Sequence, residues 1–171
     1  SSGGAPMAEL SVRLLSREAF APFGDVVETD GRPFEARNAL TARRFGDLAR
    51  IELGGGTPSV SIFRSRGREL PVEVDLVERH PLGSQLFMPL GRVPYLVVVA
   101  LATDGAAPGP LSAFWVPDGR GVNYRPGTWH LPLCPIGEGG DFLTFDRDGA
   151  EANCDLYTYG GSSRPVVRRL D

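Results

Sequence analysis

Residues 72–85 read Val-Glu-Val-Asp-Leu-Val-Glu-Arg-His-Pro-Leu-Gly-Ser-Gln, and they carry the strongest structural signal in the chain. Apolar residues at the alternate positions Val72, Val74 and Leu76 predict a β-strand. If this strand continues unbroken, Glu78 and His80 point to the same side as those apolar side chains. Because burying unpaired polar groups costs free energy, an inward-facing acid and imidazole need a metal ion or a small polar ligand.

Further strand patterns follow along the chain, at 59–63, 95–102, 113–116, 142–145 and 156–159. Turn-forming clusters separate them, and Gly and Pro number 22 and 15. Near the N-terminus, Ser16 is a suitable cap for a short helix that ends before Pro22. The chain is therefore predicted to be all-β, an antiparallel sandwich or barrel with a short N-terminal helix.

The length of 171 residues suits one domain. Residues 1–6 read Ser-Ser-Gly-Gly-Ala-Pro before Met7 and are interpreted as a cloning remnant, which leaves a predicted domain over 7–171. No apolar run approaches the roughly 18 residues of a membrane span, and we recognise no signal peptide. Cys134 and Cys154 are accordingly expected to be reduced thiols in a cytoplasmic protein.

The charged residues exclude several classes of function. All 18 basic residues are Arg, against 21 acidic residues and a formal net charge of -3. Without Lys, the chain forms neither a Schiff base nor a P-loop phosphate site. With two His and two Cys, it assembles neither a three-His nor a four-Cys zinc site. The mild acidity argues against a dedicated nucleic-acid binder.

Both histidines fall within spaced motifs. The run from Glu78 through His80 to Gln85 has the spacing of the first cupin metal motif, His-x-His-x4-Glu, with Glu in place of the first His and Gln in place of the Glu. The second cupin motif, Gly-x5-Pro-x-Gly-x2-His, matches Gly119 and ends at His130, with Arg125 in the Pro position. The two matches predict that both histidines reach one site in a cupin-like barrel.

Glu78, His80, Gln85 and His130 together offer two imidazoles, one carboxylate and one amide oxygen. Such a mixed nitrogen and oxygen set suits a divalent ion such as Ni, Mn, Fe or Zn, with open positions for substrate. A second interpretation is that His80 and His130 contact the substrate directly, without a metal ion. No organic cofactor is expected.

Longer stretches resemble the ureidoglycolate lyase family. The similarity is most specific in residues 76–90, which contain Glu-Arg-His-Pro-Leu-Gly-Ser-Gln, and in 121–132, which contain Val-Asn-Tyr-Arg-Pro-Gly-Thr-Trp-His. It extends from about Phe20 to about Tyr159. One departure is Leu131, where the family usually has a second His.

This resemblance implies a cupin jelly-roll barrel, commonly a homodimer associated with nickel. It also implies a carbon–nitrogen lyase that cleaves ureidoglycolate to glyoxylate and urea in allantoin catabolism. In such an enzyme Glu78, His80 and His130 are the expected catalytic residues. The expected substrate-binding residues comprise hydrogen-bonding side chains, two arginines for the substrate carboxylate and one aromatic wall: Ser84, Gln85, Asn123, Arg64, Arg125 and Trp129.

Two alternatives stay open from the sequence. One is a metal cupin that acts on another hydroxy acid. The other is a non-catalytic cupin that binds a small hydroxy acid, an interpretation supported by Leu131 in place of the family's second His.

Overall fold

The structure, a computed structural model, describes residues 8–171, so the interpretation of residues 1–6 and of Met7 lies outside the described part. Sixteen strands, one α-helix and one 3-10 turn (Gly161–Ser163) are present in it. In chain order the strands and the helix are β1 (Val12–Leu14), α1 (Arg17–Phe20), β2 (Gly24–Val27), β3 (Glu35–Arg37), β4 (Ala42–Arg44), β5 (Thr57–Arg66), β6 (Val72–Glu73), β7 (Leu76–Arg79), β8 (Gln85–Pro89), β9 (Tyr95–Ala100), β10 (Ser112–Val116), β11 (Gly121–Tyr124), β12 (Trp129–His130), β13 (Cys134–Pro135), β14 (Gly139–Asp148), β15 (Asp155–Thr158) and β16 (Val166–Val167).

Two large sheets form the framework. The seven-stranded sheet has the order β1-β10-β9-β12-β7-β15, with β13 also paired to β9, and the five-stranded sheet has the order β2-β11-β8-β14-β5. All pairings within them are antiparallel except that of β1 with β10. The predicted all-β class is confirmed. Strand pairing among residues 8–171 does not close either sheet into a barrel.

The local predictions largely correspond to observed elements. The helix α1 begins after Ser16, whose hydroxyl accepts a hydrogen bond from the backbone N–H of Ala19. The predicted strands at 59–63, 113–116, 142–145 and 156–159 lie within or overlap β5, β10, β14 and β15. Within the described range, no helix is long and apolar enough to cross a membrane.

The core consists of two apolar layers that share β9. A first layer lies between the two large sheets and includes Val97 and Val99 of β9. A second layer, on the other face of the seven-stranded sheet, includes Leu96 and Val98. Because β9 is buried on both faces, its sequence is a continuous apolar run instead of an alternating one.

The strand predicted from Val72 onward is interrupted, which corrects one expectation from the sequence. Its two halves, β6 and β7, pair with different strands, and between them the carboxylate of Asp75 accepts a hydrogen bond from the N–H of Leu76. The interruption shifts the alternation by one residue, so that Val77 joins Val72 and Val74 in the second layer. Glu78 therefore points to the opposite side from those apolar residues, toward the space between the two large sheets.

Candidate metal centre

Two adjacent strands bring an acid and an imidazole together. Glu78 on β7 lies directly opposite His130 on β12, and His80 follows the end of β7. The Nε2 atoms of His130 and His80 lie 3.4 Å and 3.9 Å from Oε1 of Glu78. Ligand atoms of all three residues lie within 4.8 Å of one another. The structure thus unites the three residues predicted to be catalytic.

Backbone carbonyls fix the orientation of both imidazoles. Nδ1 of His80 lies 2.8 Å from the carbonyl oxygen of Asn153, and Nδ1 of His130 lies 3.1 Å from that of Thr128. Since a carbonyl oxygen only accepts, each Nδ1 donates its proton to the carbonyl, and in the neutral imidazole this leaves a lone pair on Nε2. Both Nε2 atoms are buried and have no hydrogen-bond partner within residues 8–171. This is the arrangement that metal-binding histidines usually show.

Glu78 supplies negative charge between the two rings. In the metal-free cluster, contact with His130, and positive charge on the His130 and His80 rings in their protonated form, lower the pKa of the Glu78 carboxyl, although its partial burial opposes that shift. The carboxylate is therefore ionised at neutral pH. One anionic oxygen and two imidazole nitrogens at this spacing form a donor set that fits a divalent transition-metal ion.

Gln85 lies on the facing sheet. It is 6% exposed and opposes Tyr124 on β11, whose ring is stacked on His130. Its Nε2 donates a hydrogen bond of 3.1 Å to Oδ2 of Asp146, whereas its Oε1 is buried without a partner in the described chain. The fourth predicted metal ligand thus also has an unsatisfied acceptor atom.

A cleft of about 410 Å³ reaches Glu78 of the cluster. Its lining includes Glu78, the aromatic rings of Phe63 and Phe87, and Arg64 at the exposed rim. Nε and Nη2 of Arg64 donate to the two carboxylate oxygens of Asp141, at 2.9 Å and 3.1 Å. Arg64 is therefore positioned at the entrance and paired with an acid there.

Three other predicted substrate-binding residues have structural contacts instead, and a fourth packs in the core. Ser84 is buried, and its hydroxyl accepts a hydrogen bond from the backbone N–H of Glu52. Asn123 is fully buried on the face of β11 opposite to Tyr124, and its amide donates to Asp25 and to the carbonyl of Arg50.

Trp129 precedes His130 on β12 and therefore packs on the other face, in the second apolar layer. Arg125 is exposed, and its guanidinium donates to the carbonyl of Pro22. The structure does not bring either residue, or Ser84 or Asn123, into the lining of the cleft.

Leu131 also lies on the far side of the strand from the cluster. It is 4% exposed and packs with Val98 and Trp129 in the second apolar layer. A histidine at this position would point into that layer, away from Glu78. Leu131 therefore removes no ligand from the candidate metal centre.

Two features of the site were missed by the sequence reasoning. Asp146 was given no role, although its position two residues after Thr144 puts it on the inward face of β14. The backbone carbonyls of Thr128 and Asn153 orient the histidines. They cannot be predicted from side-chain types, because every residue has a backbone carbonyl.

Comparison with known proteins identifies the family of the chain. A family model described as "Ureidoglycolate lyase" matches residues 7–164. A protein named ureidoglycolate lyase from Burkholderia mallei (strain NCTC 10229) is 50% identical over 149 residues, which cover 86% of this chain and 87% of the relative. Proteins of the same name from Stutzerimonas stutzeri (strain A1501) and Pseudomonas fluorescens (strain Pf0-1) are 43% and 41% identical and cover 90% and 94% of this chain, and 91% and 98% of their own lengths. The chain belongs to the ureidoglycolate lyase family.

Proposed function

We propose that this protein is a ureidoglycolate lyase, which releases urea and glyoxylate from ureidoglycolate. The observation that carries the proposal is the cluster of Glu78, His80 and His130, with two buried imidazole nitrogens that lack partners in the described chain. In a member of this family, such a cluster, whose Glu78 lines a cleft, is the best candidate for the catalytic centre.

Glu78, His80 and His130 would hold a divalent metal ion, with Oε1 of Gln85 as the proposed fourth ligand. Nickel is the ion that the family resemblance favours. A bound divalent ion supplies Lewis acidity, which makes the proton of a neighbouring hydroxyl group easier to remove.

The reaction moves one proton within the substrate. The central carbon of ureidoglycolate bears a hydroxyl, a carboxylate and the urea nitrogen. As the carbon–nitrogen bond breaks, the hydroxyl loses its proton, the carbon becomes the aldehyde of glyoxylate and the urea nitrogen gains a proton. We assign this transfer to Oε2 of Glu78, the oxygen not proposed to hold the metal ion, because both histidines donate their Nδ1 protons to backbone carbonyls and would hold the ion through Nε2.

Arg64 is the proposed partner of the substrate carboxylate. It lies at the rim of the cleft that Glu78 also lines, and its guanidinium has the planar fork that binds a carboxylate through two hydrogen bonds. To bind substrate, Arg64 has to exchange Asp141 for the substrate carboxylate. Phe63 and Phe87 line the cleft with apolar surface that limits access of water to the cluster.

The finer assignments that the resemblance implies remain part of this proposal: one cupin-type jelly-roll domain, a cytoplasmic location and a homodimer. The two large sheets that enclose the cluster support the jelly-roll domain, and two free cysteines support the cytoplasmic location.

For the homodimer, the support comes from β5, a ten-residue strand at the sheet edge with Val60 and Ile62 exposed. A single species of twice the chain mass in light scattering is expected, and a monomer at all concentrations would contradict it.

Urea release from ureidoglycolate tests the proposed function. We expect turnover by the nickel-supplemented protein and a loss of at least about 100-fold in His80→Ala and His130→Ala. Ser84→Ala is the matched control. Ser84 is close to His80 in the sequence and is also buried, but it does not line the cleft. Unchanged turnover in both histidine variants would refute the site, and a ligand-induced thermal shift without turnover would favour the non-catalytic alternative.

A further inference from the structure

The carboxylate of Asp146 contacts the side-chain amide of Gln85. On β14, the inward-facing residues Phe142, Thr144 and Asp146 alternate with outward-facing ones, and Asp146 comes next to Gln85 of β8. The contact is specific: Nε2 of Gln85 donates to Oδ2 of Asp146 at 3.1 Å.

We propose that Asp146 is a positioning residue, which holds the amide of Gln85 so that Oε1 is presented to the metal centre. This inference rests on the proposed metal site. It gives Asp146 a role in the site without direct contact to the metal ion or the substrate.

The hydrogen bond from Gln85 to Asp146 fixes the orientation of the Gln85 amide. An ionised carboxylate only accepts hydrogen bonds, so the NH₂ group of Gln85 must face Asp146 and the oxygen must face the other way. A glutamate has two equivalent oxygens, but a glutamine has only one. A glutamine ligand therefore needs a neighbour that fixes which end of its amide points to the metal ion.

The amide oxygen of Gln85 is left free to bind a ligand. Oε1 of Gln85 is buried and has no hydrogen-bond partner among residues 8–171, which costs free energy unless a ligand completes the site. The same holds for Nε2 of His80 and Nε2 of His130. Gln85 is also the cross-strand neighbour of Tyr124, whose ring lies against His130. The three unsatisfied acceptors thus belong to one polar region between the sheets.

Titration of metal-free full-length protein with Ni²⁺ tests the proposal. In Asp146→Asn, the side chain at position 146 offers an NH₂ group as well as an oxygen, so it no longer holds the Gln85 amide with Oε1 toward the metal centre. We expect the affinity for Ni²⁺ to fall by about 10-fold to 100-fold, the range found when residues that support metal ligands are changed. Asp148→Asn is the matched control: it removes the same charge from the same strand at an exposed position and should leave the affinity within about twofold.

The double variant Gln85→Glu with Asp146→Asn provides a rescue. The amide introduced at position 146 then donates to one oxygen of the carboxylate introduced at position 85 and leaves the other oxygen free, with the same net charge as the original pair. The affinity of the double variant for Ni²⁺ should recover to at least the original value. If Asp146 only stabilised the fold, the affinity of the folded protein for Ni²⁺ would not fall in the single variant and there would be no loss to recover.

An unchanged affinity in the single variant, or a double variant that binds no better than it, would overturn the role of Asp146. Absence of Ni²⁺ binding by the unmodified protein would overturn it as well. Urea release, measured separately on the unmodified protein, decides the proposed function. Tight Ni²⁺ binding without urea release would therefore refute the proposed activity. The role of Asp146 would still be decided by the Ni²⁺ affinities of the variants.

Discussion

The imidazole of His130 lies flat against the phenol ring of Tyr124, with ring centroids 4.2 Å apart and planes inclined by 6°. The two residues come from different sheets, β12 and β11, so this stack connects the seven-stranded sheet to the five-stranded one. Burial raises the pKa of Tyr124, and its phenol therefore remains neutral beside the cluster. Together with the carbonyl of Thr128, the stack leaves His130 one orientation.

Replacement of Tyr124 tests this stack. Tyr124→Phe retains the ring and should leave the affinity for Ni²⁺ within about twofold. Tyr124→Leu removes an aromatic contact worth about 1 kcal/mol, so we expect a fall in Ni²⁺ affinity of about fivefold. Calorimetric titration measures both values. Equal affinities in the two variants would show that stacking does not orient His130.

Leu131→His tests whether the histidine that is usual in the family at this position increases urea release by this protein. Because position 131 faces the second apolar layer, the imidazole is buried without a partner, and we expect a loss of about 2 kcal/mol in the free energy of unfolding. Urea release per folded molecule should not rise. Denaturant unfolding and the urea assay provide the two measurements, and increased turnover would place residue 131 in the site after all.

Asn123→Ala is expected to affect stability and not substrate binding. The buried amide of Asn123 donates to Asp25 and to the carbonyl of Arg50, and loss of both hydrogen bonds should cost about 2 kcal/mol. KM for ureidoglycolate, measured below the unfolding transition, should not change. A raised KM at unchanged stability would restore Asn123 to the substrate-binding residues.

Arg64→Gln is expected to raise KM for ureidoglycolate by about 10-fold or more, because a charged pair of hydrogen bonds to the substrate carboxylate is lost. Asp141→Asn removes the acid that competes for Arg64, so its KM should fall. Arg125→Gln is the control, since Arg125 contacts the carbonyl of Pro22 and does not line the cleft. If the Arg64 and Arg125 variants have the same KM, Arg64 does not bind the substrate.

The sequence predicted the fold class well because turns and alternation are local signals. The spacing around Glu78, His80 and His130 also predicted which residues meet. The prediction of an unbroken strand, with Glu78 on the same side as Val72 and Val74, was wrong. Glu78 faces inward because the strand is interrupted at Asp75, which shifts its alternation by one residue. Such a shift depends on which sheet each half of the strand joins, and this is decided by β15 and β16, about 80 to 95 residues later in the chain.

The substrate-binding predictions were the least accurate for the same physical reason. Asn123 and Trp129 are each one residue away from an inward-facing neighbour, Tyr124 and His130, and adjacent strand residues face opposite sides. The polar character of a side chain does not show which face of its strand it occupies. Asp146, by contrast, follows the alternation of Phe142 and Thr144 and could have been found from its strand.

The most direct test of the account is a titration of metal-stripped protein with Ni²⁺, with urea release from ureidoglycolate measured at each addition. The account predicts little release from the stripped protein, a linear rise that ends at one ion per chain, and no rise in His130→Ala. Full urea release by protein that contains no metal ion would contradict the proposed centre at Glu78, His80 and His130.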